Sequence, residues 1–440
     1  MGRLTGLLVA PALSLLLGGC GSLLDTEPVT SLPEQTAISS PAGARTALTG
    51  AYASLTSSAL YGGDMVVFND LYADNTLHIG TFTTYADAGL YNLRAENGDV
   101  LRIWQYSYVT IDRANRLIEK VPGLTGMDAA EKDDIVGQAH ALRALSYHNL
   151  VRTYGGVPLV LVPPSTVEEA SAVTRATVTE VYDQIVADLL AAEGKVTNTN
   201  PNRVTAGTVE ALLARVYLYL GDWTNAAAKA DAVIGLGYGL ATNYSDLFPA
   251  IAAPTPEEIF KVYFDIANYQ LLGYYYRARG YEGRGELNAR PSLVAAYEAG
   301  DARFTWSIST SPSMVTKWPT GDGSENIHVI RFAEVLLIKA EALARQNQLA
   351  AAVDEYNKLR VRAQLQPHTL GVEVSTQQEV LDAIDHERRV ELAFEGDRFP
   401  DLVRTGRAVA VMGIDPFRQL WPVPYSEIVV APGLTQNPGY

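Results

Sequence analysis

The sequence is short of the residues that usually advertise chemistry. Its 440 residues contain one cysteine, Cys20. A disulfide framework and a thiolate zinc site both need more than one, so both are excluded. Basic residues are also scarce: 34 Lys and Arg stand against 49 Asp and Glu, a formal charge of −15. A nucleic-acid interface needs a basic face, so that class is excluded too. Charged residues reach only 19% while hydrophobic residues make up 48%, which excludes wholesale disorder. The length exceeds one ordinary core and predicts more than one lobe. The apolar run Leu7–Leu17 is too short for a bilayer span, which takes about 20 residues.

Catalytic signatures are equally thin. The sequence has no nucleophile elbow Gly-x-Ser-x-Gly, no Gly-rich phosphate loop between a strand and a helix, and no EF-hand loop. His386-Glu387 opens like a zinc-peptidase helix, but position 390 is Val, and His140 and His148 are eight residues apart. No metal, cofactor or enzymatic activity is therefore expected. A helix is expected over His386–Glu395, carrying Glu387, Glu391 and Glu395 at i, i+4, i+8. Two such acids could flank a sugar in a glycoside hydrolase. The preferred reading is an ion-pair network joining helices, with Arg388, Arg398 and Arg404 as its cations, because stacked carboxylates alone repel.

What is present begins with an address. Arg3 followed by Leu7–Leu17 reads as a secretory signal over residues 1–19. Leu17-Gly18-Gly19-Cys20 resembles the bacterial lipobox, making Cys20 the expected acylation site. Residues 20–40, with Pro28 and Pro33, read as a lipid-anchored tether. The body reads as paired helices: Ala42 to Ser57, Val100 to Val121, Glu131 to Tyr154, a helix capped by Thr177 and Glu180, and Thr208–Leu220 with Thr224–Ile234. The last pair is similar to a tetratricopeptide hairpin, and so is Arg331–Arg345 with Leu349–Ala363. More than a hundred residues separate the two, so no regular solenoid is expected. Irregular stretches run over Gly62–Asn97 and Leu236–Asn326, and long loops in a compact protein usually carry function.

The motifs Ala141-Leu142-Arg143-Ala144-Leu145-Ser146-Tyr147, Val151-Arg152-Thr153-Tyr154-Gly155-Gly156-Val157-Pro158, Ile330-Arg331-Phe332-Ala333-Glu334 and Asp385-His386-Glu387-Arg388-Arg389-Val390-Glu391-Leu392-Ala393-Phe394-Glu395-Gly396 occur in that order, with Leu434-Thr435-Gln436-Asn437-Pro438-Gly439-Tyr440 closing the chain. In this the chain resembles the SusD/RagB outer-membrane lipoproteins. The resemblance implies a mainly α, SusD-like fold of tetratricopeptide-like hairpins with an irregular, loop-rich ligand lobe and a few short strands. It implies an N-terminal helical region over 41–235, an irregular insertion over 236–326 and a C-terminal RagB/SusD helical region over 327–440. It also implies binding without catalysis: capture of an oligosaccharide, or in some members a peptide, for a SusC-type TonB-dependent transporter, by a lipid-anchored protein facing the cell exterior. A periplasmic helical-repeat scaffold that binds proteins is the alternative. Two departures stand out. Pro400 follows Phe399, and the loop that carries sugar-stacking tryptophans in the starch-binding prototype has no Trp between Asp70 and Thr83.

A sugar site needs aromatic planes for C–H faces and polar groups for hydroxyls. Tyr72, Asp74, Asn75, His78, Phe82 and Tyr85 form one candidate wall. Tyr269, Tyr274, Tyr276, Arg277 and Tyr281 form a second, and Trp306 with Trp318 a third. At least one of the consecutive Tyr274, Tyr275 and Tyr276 should face solvent in any regular conformation.

Overall fold

The computed structural model describes Gly2, residues 38–248 and residues 254–440. All of the predicted signal peptide but Gly2, together with Cys20 and nearly all of the tether, lies outside these. Nine long helices carry the fold: α1 (Pro41–Leu55), α2 (Gly98–Lys120), α3 (Ala129–Tyr154), α4 (Val178–Ala192), α5 (Ala206–Leu220), α6 (Trp223–Gly235), α7 (Phe332–Arg345), α8 (Leu349–Arg362) and α9 (Gln377–Glu391). Their ends follow local chemistry. Ser40 and Asn97 accept N-terminal amides, Thr177 and Glu180 form the expected capping box on α4, and Gly221 closes α5 at φ 72.

Successive helices pack as hairpins, α1 with α2, α3 with α4, α5 with α6 and α7 with α8; α6 then lies on α7, and α9 on α7 and α8. The two tetratricopeptide-like hairpins, distant in sequence, are therefore neighbours in space. Ala226, Ala230, Ala340, Ala342 and Ala344 are fully buried, and such small residues let helices approach closely. Arg215 of α5 reaches Glu334 of α7 through Nε at 2.8 Å and Nη2 at 2.5 Å, both residues buried.

Six short strands form three two-stranded antiparallel pairs: β1 (Thr76–His78) with β3 (Leu287–Ala289), β2 (Glu258–Val262) with β6 (Ile327–Arg331), and β4 (Ile308–Thr310) with β5 (Ser313–Val315). The stretch Gly62–Asn97 is more regular than its sequence indicates, holding helices Asp64–Leu71 and Thr83–Gly89 beside β1. All eight residues of Asp64–Leu71 are buried, so no polar face exists to produce a helical period.

The expected helix His386–Glu395 is corrected. α9 stops at Glu391, and the chain turns through Phe394 (φ 66) and Gly396 (φ 83). A Cβ on Gly396 would meet the Val66 backbone at 2.9 Å, so the turn needs glycine for conformation and for space. The cations around these acids also differ from expectation. Glu391 takes Arg331 Nη1 at 2.5 Å, Arg303 Nη1 at 3.3 Å and Arg362 Nη2. Glu387 takes Arg303 and Arg360, both at 2.7 Å, and Glu395 takes Lys317 at 2.5 Å and Arg331 at 2.8 Å. Glu257 completes the hub with Arg331 and Arg362, and Asp301 with Arg303. Arg388 and Arg404 instead hold Asp401, and Arg398 holds Asp74 and Asp385. Pro400 is accommodated in the first turn of helix Arg398–Arg404, where its missing N–H has no helical partner to lose.

With Glu387 and Glu391 fully buried and each held by arginines, the hydrolase arrangement has no carboxylate free for a sugar. Neutralising one acid strands its cations. Glu391→Gln is expected to lower unfolding free energy by about 3–5 kcal/mol, the usual cost of breaking a buried pair; urea denaturation measures it. Stability should also peak near pH ~5. Burial pushes the Glu395 carboxyl up, but Arg331 and Lys317 outweigh it and hold it at about 2, so its contribution is lost as pH falls below the unfolded-state value towards 2. Burial raises Asp64 and Asp70 to about 7 despite their hydrogen bonds, so theirs is full at low pH and lost as pH rises towards 7. Melting temperatures recorded from pH 3 to 8 should show both limbs.

Candidate functional site

The loop after β1 is organised around one acid. Glu286, just before β3, accepts hydrogen bonds from the backbone amides of Thr81 (2.7 Å) and Phe82 (3.1 Å) at its carboxylate, while its carbonyl accepts from the Ile79 and Gly80 amides. Four consecutive amides of the chain thus converge on one residue. Arg284 adds its Nε at 2.7 Å, and His78 Nε2 lies 3.4 Å away. Burial pushes the Glu286 carboxyl up, but the Arg284 guanidinium and the two amides outweigh it and hold it at about 2. A Cβ at Gly80 would lie 1.9 Å from the Glu286 carboxylate, so only glycine allows the loop to wrap it.

Above this loop sits an aromatic strip. The Phe82 ring meets Tyr275 edge-on at 5.7 Å, Tyr275 meets Tyr274 at 5.9 Å, and the Arg284 guanidinium lies 4.3 Å from the Phe82 centroid. Tyr274 is exposed, Tyr275 half-buried and Tyr276 buried, as three successive residues of helix Leu272–Tyr276 require. Arg277, three residues on from Tyr274, lines a cleft of about 530 Å³ with Phe304, Trp306, Ser309, Thr310 and Thr316. A smaller one of about 280 Å³ includes Ile79, Thr81, Arg279 and Ser313. The expected walls are thereby joined: Phe82 to Tyr274, and Arg277 to Trp306.

Other candidates take structural places. Tyr72 is fully buried and packs edge-on against Phe399 at 5.0 Å. Tyr85 is buried and donates to Asp64 at 2.8 Å. Tyr276 is buried against Phe394 at 5.4 Å, and Trp318 is buried beside Phe248 at 6.1 Å. Asn75 is buried and donates to Asp70 at 2.8 Å, and Asp74 is clamped by Arg398 (2.7 Å) and Arg389 (3.0 Å). These six present no free face or group to a sugar. Tyr269 and Tyr281 are exposed. Sequence reasoning missed Glu286, Arg284 and Arg279. The loop that Glu286 holds is about two hundred residues away in sequence, and only the fold joins them.

A second groove, of about 440 Å³, is lined by Trp104, Tyr108, Val109, Pro158, Val173 and Val430 among others. It is mostly apolar and offers few partners for hydroxyls, so the strip suits a sugar better. Among the described residues, Glu298, His386 and Glu387 could gather about a cation, but Arg360 already bridges Glu298 and Glu387 at 2.6 and 2.7 Å.

Comparison with known proteins bears on this geometry. Residues 306–415 match the model described as the SusD family, and residues 23–218 one described as starch-binding associating with outer membrane. SusD-like protein P38 of Formosa agariphila is 28% identical, with 96% of each chain covered. SusD-like protein P2 of that organism is 29% identical over 97% of this chain and 98% of its own. A laminarin-binding SusD-like protein superposes with TM-score 0.80 at 26% identity, covering 91% of this chain and all of its own. A SusD superfamily protein from Bacteroides vulgatus shares the fold with TM-score 0.83 at 18% identity, over 91% of this chain and 99% of its own.

The loop predicts its own test. Glu286→Gln keeps the shape but removes the charge that the Thr81 and Phe82 amides and the Arg284 guanidinium converge on, and such bonds are worth about 1.5–3 kcal/mol each to a charged group. Amide exchange over residues 78–82 should accelerate at least tenfold, while exchange in α5–α8 stays unchanged.

Proposed function

The chain belongs to the SusD family, and from this premise we propose that it captures oligosaccharides at the cell surface and passes them to a SusC-type TonB-dependent transporter. The observation that carries the reading is the strip from Phe82 through Tyr274 to the cleft of Arg277 and Trp306. There, aromatic faces, guanidinium donors and the hydroxyls of Ser309, Thr310 and Thr316 stand together. Pyranose C–H faces stack on the rings while hydroxyls meet the polar groups. The similarity to a laminarin-binding protein supports a glycan over a peptide. Anchoring at the outer membrane would come from Cys20 through acylation. No helix among the described residues is long and apolar enough to cross a membrane.

Nothing in this role calls for bond-breaking. A rigid strip that holds several sugar rings weakly, and releases them to a partner, suffices for capture and transfer. Each stacking ring should contribute modestly. Trp306→Ala and Tyr274→Ala are expected to weaken oligosaccharide binding by about 1 kcal/mol each, roughly fivefold. Titration calorimetry against a glycan panel measures this, with unchanged melting temperatures as the control. No binding to any glycan, with the fold intact, would refute the reading. Cys20→Ser should move the protein from the membrane to the soluble fraction of cells.

A further inference from the structure

We infer that this site selects anionic oligosaccharides, those bearing carboxylate or sulfate groups, over neutral ones; the inference rests on the strip being the glycan site. The starting point is charge. The chain carries a formal −15, and its buried arginines are almost all spent on carboxylates, as around Glu391 and Asp74. Outside the interior several arginines form no ion pair among the described residues, Arg175 and Arg290 for instance donating to backbone carbonyls, and the arc Arg277–Arg284 places two such arginines, Arg277 and Arg279, on the clefts beside the aromatic strip. Arg277 donates Nε to the Tyr281 carbonyl at 2.8 Å and Nη1 to the Pro319 carbonyl at 2.5 Å. Arg279 donates Nε to the Arg284 carbonyl at 3.1 Å. Backbone carbonyls aim a guanidinium without neutralising it. Among the described residues neither arginine has a carboxylate within ion-pair distance, whereas Arg284 nearby is paired with Glu286.

The nearby acids do not fill the gap. Asp322 is turned onto the Thr320 and Ser324 hydroxyls, both at 2.7 Å, and Glu282 makes no ion pair with either arginine. Each free guanidinium lines one of the two adjoining clefts, Arg277 beside Trp306 and the hydroxyls of Thr310 and Thr316, Arg279 beside Thr81 and Ser313. A planar fork of N–H donors matches a carboxylate or sulfate ester in geometry and charge. An aromatic plane next to it takes the sugar ring bearing that group. In a protein whose overall field repels anions, two unneutralised cations at the binding face provide local attraction that a neutral glycan cannot use.

The test titrates the full chain with three probes: an oligogalacturonate, a sulfated galactan oligosaccharide and a laminarin oligosaccharide, each at low and high salt. One or both anionic probes should bind at least about tenfold tighter than laminarin at low salt and lose that advantage at high salt. Arg279→Ala, at an exposed position, should reduce anionic binding about tenfold and laminarin binding by clearly less. Arg277→Gln, in the sugar-contacting cleft, should weaken both classes but the anionic probes more, so that the anionic-to-neutral ratio falls, with its melting temperature confirming the fold. The carboxylate and sulfate arms distinguish which group is taken. Laminarin binding equal to or tighter than both anionic probes, or insensitivity of anionic binding to Arg279→Ala, overturns the inference while leaving glycan capture intact. Failure of both anionic probes to bind overturns the inference; the glycan reading falls with it only when the whole glycan panel fails too, or when a hexaglutamate peptide is captured in place of every glycan.

Discussion

The structure depends on a buried exchange of charge between its two kinds of architecture. Glu257, Asp301, Glu387, Glu391 and Glu395 meet Arg303, Lys317, Arg331, Arg360 and Arg362, most of them removed from solvent. The acids at 387 and 391 and the arginines at 360 and 362 belong to the helical scaffold. Glu257, Asp301, Arg303 and Lys317 belong to the irregular lobe, and Arg331 stands where β6 enters α7. Burying so many charges is costly, and mutual attraction offsets that cost only where geometry is good and every partner is present. The hub thus fixes one relative placement of lobe and scaffold. The Tyr244 ring, with Lys317, Arg331 and Arg362 all within 6 Å, tightens it further.

From that anchor the proposed binding face is suspended in steps. Glu395 sits within the Phe394–Gly396 turn, whose Phe394 ring supports Tyr276 and whose Gly396 amide donates to Asp70 at 2.7 Å. Arg389 and Arg398 clamp Asp74, which leads into β1. β1 pairs with β3, and Glu286 at its edge gathers the 79–82 loop beneath Phe82. These steps, polar but for the Phe394–Tyr276 ring contact, join segments far apart in sequence. A strip assembled this way is preorganised, so a sugar bound there would meet rings already in place and lose little to ordering.

The legible parts of the sequence were those with a local signature. The α4 capping box, the glycine that ends α5 and the two tetratricopeptide-like hairpins are each written within a short window. The ordered motifs pointed to the SusD family. Helix Asp64–Leu71 was not legible, because burial on every side erases amphipathic period. The end of α9 was not legible either, since the Phe394–Gly396 turn is imposed by packing on Val66 rather than by a breaker before it. The site divided along the same line. Exposed aromatics such as Tyr274 and partly exposed ones such as Phe82 and Trp306 were reachable from composition. Asp74 looked like a sugar ligand because its clamp, Arg389 and Arg398, lies over three hundred residues away. Glu286 was invisible for the same reason.

If one face, assembled from three segments distant in sequence, receives the glycan, amide exchange of the full chain with a saturating oligosaccharide, drawn from the bound members of a panel, should show added protection at residues 78–82, 274–286 and 304–316 together, with α1–α8 unchanged. Protection confined to the apolar groove around Trp104 and Val430, or to only one of the three segments, would contradict a single receiving face.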